Sequence, residues 1–568
     1  MRTFGAMVQG ELLLLLAAHL VLTALPGVSA SLYVASRGER RIPVLLAVLL
    51  VGSGAVAMVG FFAYYESHPL GQTWSILALF GPLLATVWLL LERRIPRRVL
   101  GGLATPLALW ALGSAFLVFL GFLHGGTHSP LAVSLTRFSG PLPTDDDIPR
   151  FFAEWFYAHG HKGTPPEFPG NWLASDRPPL QVGYVLDQQP FHLNRDELNY
   201  QVLGVCLQQL WIVGLWALLV ALPVGRVTKA LTMITLLVSD LAIVNGFYVW
   251  PKLLAAAMLL AAAALVITAL WDEVRGRLWG GALVAALCGL AMMGHGSSVY
   301  GILAIAAIAA FRGLPSWRWL GVAVLALIVV MAPWSAYQKW GDPPGNRLTK
   351  WYLGGDVGPD KKSVSEAIRD GYGEAGLGGT LHKKGQNFVA IFGGKAMATN
   401  LRESREAIGR GDFEGAVRPV RSIFFFNLVP SLGLLLLGPV AMAIGWRRRR
   451  PEDWKAAAVL LAIFAVGLVL WALIQFGGST AQTVIHQGSY LLPALGLAGC
   501  AIGLRAVWPR FAIGWLALNA VLMLVIYVPA FEPVEGSAFT PANAVLALLA
   551  LAAFAVVAFG RPPRAAHP

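Results

Sequence analysis

Acidic residues are scarce in this chain: Asp and Glu number 30 of 568, against 43 Lys and Arg, and charged residues together make up 13%. An average soluble domain carries nearly twice that share. Cysteine is almost absent. Cys206, Cys288 and Cys500 each fall within apolar stretches and share no metal-ligand spacing, which excludes a disulfide framework and leaves packing as their role. Two catalytic signatures are missing as well. Without a His-Glu-x-x-His helix or a Gly-x-Ser-x-Gly elbow, zinc-hydrolase and serine-hydrolase readings have no residues to rest on.

What is abundant is apolar sequence, 57% of the chain, with a mean hydropathy of +0.64. It comes in blocks of about 16 to 25 residues, and a helix needs about 20 to cross a bilayer core of about 30 Å. A closed barrel would show alternating segments of about ten residues instead. The expectation is an all-α polytopic membrane protein with about fifteen transmembrane helices, near 11–35, 43–64, 74–91, 100–123, 203–222, 229–248, 252–271, 279–294, 297–312, 317–333, 424–445, 455–475, 489–504, 511–529 and 541–560. Only Arg2 precedes the first block, so it reads as a retained helix and not as a signal peptide.

Four regions follow from this pattern: N-terminal transmembrane helices (1–99), a transmembrane core (100–333) enclosing a first polar loop at 124–202, a second polar loop (334–423), and C-terminal transmembrane helices (424–568). Basic clusters such as "RGERR" (Arg37–Arg41), "ERRIPRR" (Glu92–Arg98), "DEVRGR" (Asp272–Arg277) and "WRRRR" (Trp446–Arg450) fall in short connections on one side, which the positive-inside rule assigns to the cytoplasm. Much of the +13 net charge is therefore topological, and no aromatic-and-basic module points to nucleic acid. Both long polar loops, and the turns near 245–252, 295–298, 476–488 and 530–541, then lie outside. The expected location is the plasma (inner) membrane, with any site on its extracytoplasmic face.

The first loop contains "PLPTDDDIPRFFAEWFYAHG" (Pro141–Gly160), three consecutive carboxylates in a basic chain. Phe151, Phe152, Trp155 and Phe156 recur at helical spacing and Pro149 suits a first turn, so an interfacial helix over 148–159 is expected, with the acids at its N-terminus, where the helix dipole stabilises negative charge. The competing reading is a solvated turn that only caps this helix. In the second loop Ser363 and Glu366 form a capping box ahead of a short helix, and a polar helical stretch follows near 383–411.

The acidic pair, "FFAE" (Phe151–Glu154), "GNW" (Gly170–Trp172) and "DRPPL" (Asp176–Leu180), in that order, resemble the first external loop of membrane glycosyltransferases of the GT-C superfamily, in its aminoarabinose-transferase and protein O-mannosyltransferase branch. "NGFYVWPKLLAA" (Asn245–Ala256) resembles a short external turn of that fold. "MMGHGSSVYGIL" (Met292–Leu303) resembles a turn the family often writes Lys-Gly-Pro, and "HQGSYLLPALGL" (His486–Leu497) a stretch it usually writes Arg-Tyr-x-x-Pro. About four spans precede the acidic loop here, where the family usually has one.

The resemblance implies inverting transfer of a sugar from a polyprenyl-phosphate-linked donor to an extracytoplasmic lipid, glycan or protein acceptor. It aligns Asp145 with the acceptor's general base and Asp146 next to it, and two neighbouring carboxylates raise one another's pKa toward a working range. Asp147, Arg177, Lys252, Tyr248, His295, His486 and Tyr490 are the candidate substrate-binding residues, the cations for the leaving phosphate. Against these stand blander readings: snorkelling for Lys252, a helix-turn hydrogen bond for His295, and a salt bridge with Asp176 for Arg177. The Asp run supplies hard oxygen ligands suited to Mg²⁺, Mn²⁺ or Ca²⁺, yet nothing in the spacing demands a cofactor. A transporter or flippase of lipid-linked glycans, or a GT-C-like ligase or non-catalytic partner, explains the spans equally well. A transporter predicts charged residues or breaks near the bilayer midplane, and only Asp240 lies well inside a span.

Overall fold

The computed structural model describes residues 2–92, 95–140, 142–192, 196–477, 490–529, 533–535 and 537–560. Among these the regular secondary structure is all helix, apart from one isolated β-bridge between Phe168 and Trp172. The first helices are α1 (Arg2–Ser36), α2 (Ile42–Glu66), α3 (His68–Leu91), α4 (Arg97–Gly121), α5 (Pro130–Thr136), α6 (Ile148–His159) and α7 (Leu180–Gln188). Pro26, Pro82 and Pro106 lie inside α1, α3 and α4, a placement that bilayer helices tolerate.

All fifteen expected apolar blocks are occupied by helix, but they differ in reach. Nine of the described helices are long and apolar enough to cross a membrane, or ten if the pair Arg226–Leu237 and Asp240–Phe247, bent by 50°, counts as one span. The other five, Lys252–Val266, Leu278–Gly294, Ser298–Arg312, Pro430–Ile444 and Leu491–Val507, are shorter. The chain is thus a polytopic helical membrane protein. The bend has a local cause: Ser239 leaves the helix in extended conformation and its Oγ accepts from Ala242 N at 3.3 Å, capping a fresh start. Where one span was expected over 424–445, the structure shows two elements: Phe413–Phe426 belongs to the second loop, and the apolar segment begins at Pro430. Pro430 has no N–H to continue the first helix.

Small residues bring the helices together. A Cβ on Gly27 of α1 would stand 2.1 Å from the Leu49 carbonyl oxygen of α2, and one on Gly183 of α7 would stand 2.1 Å from that of Ala57. The connections sort to two ends of the bundle. At one end Arg41 pairs with Glu273, Asp453 accepts from Thr228 Oγ1 at 3.1 Å, and Arg450 N donates to Ala506 O at 2.9 Å. The two long polar loops gather at the other, where Phe476 N donates to Tyr352 O and Ala538 N to His124 O.

Candidate functional site

The acidic run forms a single 3₁₀ turn, Thr144–Asp147, leading directly into α6. Its three carboxylates part company. Asp147 takes Arg150 in a two-pronged ion pair at 2.6 and 3.1 Å, and Arg150 also reaches Glu154 at 2.5 Å. Asp146 is 1% exposed and accepts from Ser134 Oγ, while its backbone carbonyl accepts from the Tyr200 hydroxyl. Burial pushes the Asp146 carboxyl up to about 8, the Ser134 bond opposes, and the flanking Asp147 and Asp145 charges add to the rise. Asp145 alone turns to a cleft, 3.9 Å from the Arg177 guanidinium.

Arg177 follows the 3₁₀ turn Ala174–Asp176. Its neighbour Asp176 accepts from Leu173 N at 3.1 Å and from Arg347 N at 3.3 Å, so that carboxylate ties the two external loops together, and Arg177 faces Asp145 instead. Desolvation raises the Asp176 carboxyl above its ordinary range, with the two backbone N–H donors opposing. Arg177 lies over the Trp172 ring at 3.8 Å and over Trp250 at 4.9 Å, and Arg347 covers Trp172 at 3.9 Å. Burial pulls the Arg177 guanidinium below its usual range, and Asp145 is the largest influence holding it up.

Three further stretches close the cleft. Tyr248 donates to Pro143 O at 2.6 Å, fastening the 245–252 turn to the acidic loop, and its ring stacks on Trp250. Between them Val249 sits at φ 50°, a costly conformation for a β-branched residue, while its carbonyl accepts from Gln181 Nε2 at 2.9 Å. Lys252 opens the helix Lys252–Val266, 4% exposed, its Nζ 5.6 Å from the Trp250 ring and 5.5 Å from that of Tyr490. Tyr490 in turn donates to Asn245 Oδ1 at 2.5 Å. His295 Nδ1 receives the Ser297 N–H at 3.2 Å, which leaves the proton of the neutral ring on Nε2, and the ring lies 6.4 Å from Trp250. His486 falls outside the described residues.

Asp145, Arg177, Trp250, His295 and Leu348 thus line one cleft of about 20 Å³, room for about one water. Tyr248, Lys252 and Tyr490 stand in the aromatic and cationic wall behind Trp250; Asp146 and Asp147 are engaged elsewhere. Sequence reading missed the contribution of the second loop. Arg347 donates to the carbonyls of Gly170 at 2.9 Å, Asn171 at 2.8 Å and Val357 at 2.7 Å. Gly170 and Asn171 adopt positive φ, 87° and 59°, a turn that suits Gly and Asn and offers two carbonyls to one guanidinium. Asp342 accepts from Ser175 N at 2.9 Å, and Gln338 Nε2 donates to Ser175 O at 2.9 Å. The "GDPPGN" turn before Arg347 was the available signal.

Among the described residues no group of three or more His, Cys, Asp or Glu is arranged to hold a metal. The Asp145–Asp147 carboxylates, directed to three different partners, do not form a chelating set. No family model, curated protein or solved structure matches the chain.

Proposed function

We propose that the chain is a GT-C-like membrane glycosyltransferase that moves a sugar from a polyprenyl-phosphate-linked donor to an extracytoplasmic lipid, glycan or protein acceptor with inversion. The observation that carries the reading is the meeting of one half-exposed carboxylate, Asp145, with the cations Arg177 and Lys252 and with His295, from four separate stretches of chain, at the end of the bundle away from the basic connections. That end is the extracytoplasmic face of the plasma membrane by the charge rule.

In this mechanism the acceptor oxygen attacks the anomeric carbon from the face opposite the phosphate. The carbon–oxygen bond to the phosphate breaks, polyprenyl phosphate leaves, and Asp145 takes the acceptor's proton. Arg177 and Lys252 match the charge that grows on the leaving phosphate, and His295 Nε2–H supplies a further donor at the cleft wall. The Arg177–Asp145 pair, at 3.9 Å, holds both groups ready and separates as the phosphate takes over the guanidinium. With room for one water, the cleft admits a sugar only when the second loop, which contributes Leu348, lifts from the first. A largely apolar groove of about 640 Å³ lies between α2 and the helices Leu278–Gly294 and Trp317–Ala336, in the half nearer the basic connections, from Glu39 and Trp279 up to Val51, Ala286 and Val330; it would take the far end of a lipid tail whose phosphate sits at the cleft.

One observation favours a second reading. The 50° break at Ser239, with Asp240 1% exposed beside it, is the kind of interrupted span that transporters place at a binding site. The deciding experiment supplies membranes carrying wild type or Asp145→Asn with a panel of polyprenyl-phosphate sugars and with envelope lipids and glycans. Loss of transfer by about 10²-fold or more in an equally abundant variant supports the base assignment. Equal transfer refutes it, and a donor that is moved across the membrane without being consumed brings the transporter reading forward.

A further inference from the structure

Away from the cleft, the N-terminal helices hold a polar cluster that the proposed chemistry does not use. Where α1, α2, α3 and α7 meet, Thr23, Ser53, Ser75, Tyr184, Asp187 and Gln188 line a space of about 20 Å³, the size of a single water or a small ion. Asp187 is 8% exposed, and its Oδ1 accepts no hydrogen bond from the described residues. Gly60 of α2 makes room for it: a Cβ there would stand 1.8 Å from that oxygen.

The hydrogens around the space are mostly committed elsewhere. Ser53 Oγ donates to Thr23 O at 2.6 Å, so its 2.8 Å bond with Tyr184 has the tyrosine as donor. Gln188 Nε2 donates to Thr23 Oγ1 at 3.0 Å, and Gln188 Oε1 accepts from His19 Nδ1 at 2.8 Å. Tyr64 and Ser75 share one hydroxyl bond at 3.0 Å. What remains directed at the space is one carboxylate and a preponderance of oxygen lone pairs. That inventory rejects an anion. A carboxylate removed from water needs a compensating charge. Half of the lining is apolar (Leu22, Pro26, Val56, Ala78, Leu79 and Phe191), which keeps water out, and the polar half turns chiefly oxygen to the space, which suits a hard cation; a single negative charge among neutral oxygens balances one positive charge.

We infer that Asp187, with the hydroxyl oxygens of Thr23, Ser75 and Tyr184, binds a monovalent cation of sodium's size at the junction of α1, α2, α3 and α7. The occupant has a structural consequence. α7 is only nine residues long; Asp187 lies near its C-terminal end, while Val182 near its start lines the candidate cleft and Arg177 precedes it by three residues. A cation that joins α7 to α1 and α3 therefore fixes the strut on which Arg177 stands. The site does not rest on the glycosyltransferase reading, and its test needs no substrate.

The test uses the full chain in lipid nanodiscs, unfolded thermally in sodium, potassium or choline chloride at equal ionic strength, together with direct ²²Na⁺ binding. Sodium is expected to raise the midpoint over choline by roughly 2–4 °C, potassium less, with one sodium bound per chain. Asp187→Asn loses both the shift and the bound sodium. Tyr184→Phe, which keeps the ring and removes one oxygen, needs about tenfold more sodium for half the effect, a loss of about 1.4 kcal/mol, and decides the matter if Asp187→Asn fails to fold. The assignment is overturned by equal midpoints in the three salts, by an equal shift in potassium, by a sodium shift that survives Asp187→Asn, or by a half-effect unchanged in Tyr184→Phe. A midpoint that follows pH but not sodium also overturns it, because the carboxyl then carries a proton.

Discussion

Arg347→Lys keeps the charge at position 347 and removes the planar fork, which makes it a test of how the two external loops are held together. The guanidinium lies 3.9 Å from the Trp172 ring centre and donates to three carbonyls, those of Gly170 and Asn171 in the first loop and Val357 in the second. A lysine ammonium is one nitrogen: it cannot hold both the Val357 carbonyl, bonded by Nε, and the Gly170 and Asn171 carbonyls, bonded by the same Nη1, and it has no plane to lay on Trp172. Losing one or two charge-assisted bonds at a half-exposed site costs about 0.5–1 kcal/mol each, and losing the stacked ring contact adds about 0.5–1 kcal/mol. The loops should therefore open more easily by about 1–3 kcal/mol, which raises the open population about 5- to 150-fold. The assay is amide hydrogen exchange of the full chain in nanodiscs, read on peptides covering 168–177 and 342–358, with the core helix Lys252–Val266 as internal control. Exchange should speed by that factor in both loop peptides and in neither half of the control helix. Unchanged protection in the loops would show that Asp342, Gln338 and the Asp176 carboxylate suffice to dock them, and the clamp argument would be wrong.

Other expectations follow from single observations. The Asp146 carboxyl, pushed up to about 8 from an ordinary value near 3.8, binds a proton more tightly folded than unfolded. Its contribution to stability is full below about pH 4 and is lost as pH rises through about 8. Asp146→Asn should therefore flatten the fall in thermal midpoint between pH 5 and pH 8, and an unaltered slope would refute the assignment. Gly183→Ala places a Cβ 2.1 Å from the Ala57 carbonyl oxygen, so α7 must shift off α2 at a cost of about 1–3 kcal/mol, seen as a lower midpoint in nanodiscs. Under the glycosyltransferase reading, Lys252→Met should depress transfer from a polyprenyl-phosphate sugar by about 10²-fold, and transfer equal to wild type would remove Lys252 from the leaving-group assignment.

Much of the fold is legible because it obeys local rules. Apolar blocks of bilayer length became helices wherever they were expected, Pro149 started α6 at the expected place, and Ser363 with Glu366 formed the reciprocal cap, Ser363 N donating to Glu366 Oε2 at 2.8 Å and Glu366 N to Ser363 Oγ at 3.2 Å. Helix ends were less legible: an apolar run over 424–445 gives no sign that Phe413–Phe426 belongs to a loop helix until Asn427 and Pro430 are weighed as a break.

The site was legible as a region and not as a set of roles, and the acidic run shows why. Three consecutive residues on a 3₁₀ turn point about 120° apart, so three equivalent letters must face three environments: a cleft, a buried serine and an arginine on the next turn. Which letter meets which depends on where the turn sits against α5 and the 245–252 segment, a tertiary fact. Arg177 carries the same lesson. Its neighbour in sequence, Asp176, looked like its ion-pair partner, yet residues i and i+1 turn to different sides, and that carboxylate is held by two backbone N–H groups, one supplied by Arg347 from the other loop. With Asp176 so occupied, the carboxylate that faces Arg177 is Asp145, more than thirty residues back along the chain. A long-range tie between the two loops thus determines which acid and which cation meet, and because Arg347 lies over the same Trp172 ring as Arg177 and next to Leu348 of the cleft, changes at Arg347 should reach the cleft.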